Sequence, residues 1–111
     1  MNISQARDLV NQYLQVEEKK VNEFGCALPN YVNPNIKLVI DEKHTKTHDF
    51  GWVFYFNDKK FIETNNWEYA LGGNAPIIVD KARTDLIHTG TAHPIEYYVN
   101  NYLKNGDPFK E

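Results

Sequence analysis

At 111 residues, with 41% hydrophobic and 14% aromatic side chains, the chain is too apolar for disorder and too short to bury more than one core. Its net charge is −3 and its basic clusters go no further than the pairs Lys19-Lys20 and Lys59-Lys60, which excludes the basic stripe of a nucleic-acid binder. No apolar run approaches the ~20 residues that cross a bilayer, the N-terminal stretch MNISQARDLVNQYLQ lacks the apolar region of a secretory signal, and one cysteine, Cys26, allows no internal disulfide. This reads as a cytoplasmic chain forming a single domain over residues 1–111.

Ala6, Leu9, Val10, Tyr13 and Leu14 fall on one helical face, with Ser4 placed to cap it, so a helix is expected from there to about Lys20. Residues 25–35, with Gly25, Pro29 and Pro34, read as a loop. A short strand is expected over 36–40, a polar turn or loop over 41–49, and a central strand over 52–56, where both faces are apolar or aromatic. Asn57-Asp58-Lys59-Lys60 reads as a turn and Phe61-Ile62-Glu63 as a brief return strand. Residues 64–74 form a loop or one helical turn. Strands at 75–79 and 86–88 are joined by a turn at 81–85, and Pro76 confines the first of them to an edge or to a strand start.

A second helix starts at Pro94, placed at its first position, with Glu96 in the first turn. Ile95, Tyr98, Val99, Tyr102 and Leu103 form its apolar face and Gly106 stops it. The sum is an α+β fold: N-terminal helix, a three- to five-stranded mainly antiparallel sheet, and C-terminal helix, in two layers.

The chemistry-bearing residues do not assemble into a catalytic set. Cys26 lies in a Gly- and Pro-flanked loop with no helix starting after it, which favours a small structural thiol over an activated nucleophile paired with a histidine. His44, His48 and Asp49 have a spacing that grips zinc on a helix, but here they fall in a polar loop between strands. His88 reads as a strand residue and His93 as a helix-capping one, and Gly72-Gly73-Asn74 reads as a turn, without the lysine of a phosphate-binding loop. No catalytic residue, metal or cofactor is therefore expected. Trp52 belongs to the core. For Trp67, folding back over the sheet edge is weighed ahead of exposure as a binding anchor.

Two segments carry a family resemblance. One is Phe50-Gly51-Trp52-Val53-Phe54-Tyr55-Phe56-Asn57, followed by Phe61-Ile62-Glu63-Thr64. The other is Tyr69-Ala70-Leu71-Gly72-Gly73-Asn74-Ala75-Pro76-Ile77-Ile78-Val79-Asp80-Lys81, followed by Gly90-Thr91-Ala92-His93-Pro94-Ile95-Glu96-Tyr97-Tyr98. Together they resemble the immunity protein 35 family of bacterial toxin–immunity systems, over roughly residues 4–104. The resemblance implies a small cytoplasmic α+β protein that binds and neutralises a cognate protein toxin. It transfers no active-site residues, and the matching positions look structural.

For the toxin contact the sequence offers Asp58, Asn65, Asn66, Trp67, Glu68 and Tyr69, a polar loop with an aromatic anchor and acids that suit a basic cleft. A chaperone-like protein shielding apolar surfaces is the alternative reading of the aromatic content, and it requires a large exposed aromatic patch. A free sheet edge or an apolar helix face leaves a homodimer open.

Overall fold

The computed structural model describes residues 1–25, 37–70, 74–83 and 85–111, with the side chains of 21–25 and of Tyr69 excepted. Cys26, Gly72, Gly73 and most of the expected 25–35 loop lie outside this set.

Helix α1 spans Ile3–Gly25, about one turn longer than expected. Asn2, and not Ser4, caps it. The Asn2 side-chain oxygen accepts from the Gln5 N–H at 2.9 Å while Gln5 Oε1 accepts from the Asn2 N–H at 2.9 Å. That reciprocal pair satisfies two backbone donors at the helix start. Ala6, Val10 and Leu14 are buried along one stripe. Leu9, expected on that stripe, is only half-buried. Farther along, Glu18 accepts the Leu38 N–H at 2.8 Å and ties the helix to the first strand.

The strands are β1 Leu38–Ile40, β2 Lys46–His48, β3 Gly51–Phe54, β4 Phe56–Asp58, β5 Ile77–Asp80 and β6 Leu86–His88. The expected 52–56 strand is longer and divides at Tyr55. β3 joins a four-stranded antiparallel sheet in the order β2-β3-β5-β6, while β4 pairs with β1. The Asp41 N–H donates to the Tyr55 carbonyl at 2.7 Å, continuing the ladder between the two pairings. Residues 38–48 therefore run antiparallel to 51–58 as one hairpin arm, interrupted by a short excursion.

That excursion replaces the expected 41–49 loop. Asp41 caps a 3₁₀ turn at Glu42–His44 by accepting from the His44 N–H, and the chain then re-enters the sheet as β2. β2 is a polar, mostly exposed edge strand, so it shows no apolar run by which the sequence would reveal it.

A second difference concerns Phe61-Ile62-Glu63. These residues lie in a helix, α2 Lys59–Thr64, and not in a strand. Asp58 caps its start by accepting the Lys60 N–H at 2.8 Å, and Asn65 ends it in the left-handed conformation with φ 58°. The caps at both ends decide the helix over the β-leaning Phe61-Ile62 pair.

Helix α3, Ile95–Asn105, begins one residue later than expected, with Pro94 in the capping position. Gly106 closes it at φ 74°. Tyr98, Val99 and Tyr102 are buried, but Leu103 is 58% exposed although the helical pattern placed it with them. Burial, then the hydrogen bond to Asp80 (Tyr102 Oη to Asp80 Oδ2, 2.6 Å), raises the Tyr102 phenol above its usual range, and that bond fastens α3 to the end of β5.

The α+β class and the helix–sheet–helix order stand, while the layering differs from the two layers expected. Trp52, Phe54, Ile77 and Val79 pack with Ala6, Val10 and Leu14 of α1. Val53 and Ile78, alternating with them along the same strands, pack with Val99 and Tyr102 of α3. The helices thus cover opposite faces of the sheet, the arrangement that a strand apolar on both sides requires.

Candidate functional site

The segment following α2 is built by local side-chain caps. Thr64 Oγ1 donates to the Lys60 carbonyl at 2.5 Å and accepts the Asn66 N–H at 3.2 Å. Asn66 then caps a second 3₁₀ turn, Trp67–Tyr69, by accepting the Glu68 N–H at 3.0 Å. These bonds fix the backbone on both sides of Trp67 without burying its ring, which is 79% exposed. The indole leans on Phe61 at a centroid separation of 5.1 Å and does not fold back over the sheet edge.

Beside Trp67 runs a groove of about 510 Å³. Phe61, Ile62, Asn65 and Trp67 form one wall, and Ile40 with Asp41–His44 of the strand excursion forms the other. Two of the acids on its rim, Asp41 and Glu42, are paired. Arg7 grips Glu42 through two bonds of 2.8 and 3.1 Å, and Asp41 Oδ2 lies 2.7 Å from His44 Nδ1. Glu68 is exposed and makes no ion pair with any described residue.

The structure therefore divides the six expected contact residues. Trp67 and Glu68 face solvent. Asn65 and Asn66 are exposed and also serve as caps that present them. The Tyr69 side chain lies outside the described residues. Asp58 is corrected: it is 7% exposed, its carboxylate caps α2, and it offers no contact surface. Replacing it tests that role: Asp58→Ala is expected to lower stability by about 1 kcal/mol, and Asp58→Asn, which keeps a capping oxygen, by a few tenths, read from urea denaturation midpoints. Equal losses in the two variants would refute the capping role. The wall that α2 gives the groove is one the sequence reading, which expects a strand at Phe61-Ile62-Glu63, does not foresee. Its signal was the pair of cap residues, Asp58 and Asn65, bracketing a helix-length segment.

The histidines are engaged separately. His44 meets Asp41 and the edge of Tyr55, His48 stacks on Phe50 at 5.0 Å, His88 meets Tyr13 at 5.1 Å and His93 stacks on Tyr97 at 3.9 Å. Among the described residues no group of three or more His, Cys, Asp or Glu side chains is placed to hold a metal ion. The cysteine–histidine reading falls on Cys26 and so lies outside the described residues. Among the described residues no helix is long and apolar enough to cross a membrane.

With this geometry in view, the comparisons place the chain. It belongs to the immunity protein 35 family, whose sequence profile matches residues 5–107. Within one segment of 52 residues it is 42% identical to the uncharacterised protein YrhB of Escherichia coli strain K12, a stretch that spans 47% of this chain and 55% of that relative. No solved structure matches the chain.

Proposed function

We propose that this protein is a cytoplasmic, non-catalytic immunity protein that binds a cognate protein toxin and holds it inactive, with Trp67 as the central anchor of the contact. The observation that carries the reading is the exposed indole held between capped turns at the lip of a groove. A large aromatic side chain fixed in advance of binding supplies contact area at little entropic cost, as binding anchors do. Family membership supplies the class of partner, and the exposed Glu68 suits a basic cleft on it. The chaperone-like reading gains no comparable support: among the described residues the exposed large apolar side chains, Met1, Val16, Trp67, Leu103 and Phe109, fall in five separate segments of the chain.

Affinity purification of the tagged protein from its host, with mass spectrometry of the eluate, is expected to yield one stoichiometric toxin. Calorimetric titration of that toxin should then show Trp67→Ala combined with Glu68→Lys weakening binding by about 100-fold. Unchanged affinity of the double variant would remove the Trp67 groove from the interface. A diffuse set of unrelated clients in place of one partner would count for the chaperone-like alternative.

A further inference from the structure

A second groove lies on the α3 side of the sheet, away from Trp67. Val53 of β3, the following Tyr55, Lys46 and His48 of β2, and Ile95, Glu96, Val99, Asn100 and Leu103 of α3 enclose about 390 Å³. It exists because α3 covers the middle of this face and leaves the β2 side open, and Leu103 is 58% exposed on the groove's helical wall. Burial, and then the nearby Glu96 carboxylate, push the Tyr55 phenol above its usual range, keeping a neutral hydroxyl in the wall.

Two features of β2 identify what fits. First, β2 is an edge: among the described residues it pairs with β3 alone, so its outer backbone groups are open to an added strand. Second, Lys46 and His48 alternate onto the groove side, with Lys46 directly opposite Val53, and Lys46 makes no ion pair with any described residue. Antiparallel pairing with a second copy of β2 would set Lys46 opposite His48 of that copy, with no acid to meet it. A partner strand bearing an acid meets the same row favourably.

We propose that the β2 edge and its adjoining groove dock an extended, acidic segment of a partner protein, which adds a strand to the sheet. Its backbone bonds to β2, an acidic side chain pairs with Lys46, and an apolar side chain two residues away seats among the partly exposed Tyr55, Ile95 and Leu103. This is strand addition, in which main-chain bonds give affinity and alternate side chains give selectivity. The surface is independent of the Trp67 contact and does not rest on it.

The probe is a short synthetic peptide of alternating glutamate and valine, titrated into the isotope-labelled full-length protein and followed by NMR. Saturable shifts at the amides of 46–48 and at the side chains of Tyr55, Ile95 and Leu103 are expected. Lys46→Glu and Leu103→Asp, both at exposed positions, should each weaken binding by about tenfold with the dispersed spectrum retained. A peptide with lysine in place of glutamate should bind Lys46→Glu better than the unaltered protein. Absence of saturation at millimolar peptide, or shifts confined to the Trp67 groove, would overturn the proposal. So would concentration-dependent broadening of the same residues without peptide, which would assign the groove to a second copy.

Discussion

Gly51→Ala is expected to destabilise the protein by at least about 3 kcal/mol, with a fall in Tm on the order of 12 °C or more. A methyl group built on Gly51 would lie 2.0 Å from the Val79 carbonyl oxygen, inside contact distance of the backbone of β5. Neither strand can yield cheaply, because Gly51 pairs with Asp80 on one side and His48 on the other. Its φ of 155° adds to the cost, since L residues rarely adopt it. By contrast Gly106, also at positive φ, has open space around the added methyl. Thermal unfolding followed by circular dichroism checks this. A loss at Gly51 below about 1 kcal/mol, no more than the conformational cost that an open site carries, would show that the β3–β5 approach is looser than described.

The second large effect tests the layering. Phe54→Ala is expected to cost about 4 kcal/mol and Val53→Ala about 2 kcal/mol, through lost burial and the cavities left behind. Both residues are fully buried, yet they face opposite helices. The diagnostic lies in where each is felt. Phe54→Ala should move the methyl resonances of Val10 and Leu14, and Val53→Ala those of Val99 with the Tyr102 ring. If Phe54→Ala instead perturbed Val99, the helices would share a face and the two-layer arrangement would be restored.

The sequence already held the argument for three layers. Residues 52–56 read as a strand apolar on both sides, and such a strand demands a cover on each face. Two amphipathic helices are available to supply it, one for each face, and the two-layer expectation leaves one face of that strand without a cover. The helices themselves were legible in the spacing of Ala6, Val10 and Leu14 and of Tyr98, Val99 and Tyr102, since each stripe is buried as a unit.

What escaped were elements held by polar groups. β2 consists of Lys46, Thr47 and His48, and an edge strand needs a backbone partner more than it needs apolar side chains. Residues 59–64 contain Phe61-Ile62, which by composition leans towards strand, and only the capping oxygen of Asp58 and the left-handed Asn65 decide otherwise. For the contact residues, a loop rich in asparagine suggested a surface. The division of labour within it, with Asn65 and Asn66 shaping the chain and Trp67 left outward, depends on hydrogen bonds that composition does not specify.

The caps around Trp67 also bear on how such a protein changes over generations. Thr64, Asn65 and Asn66 secure the turn from within, and the outward groups of Trp67 and Glu68 contribute little to the sheet or to either core cluster. Replacing those outward groups therefore leaves folding nearly untouched, as surface substitutions away from caps and cores do. This lip can thus be redrawn one side chain at a time, provided the asparagines and the threonine that hold the turn stay in place.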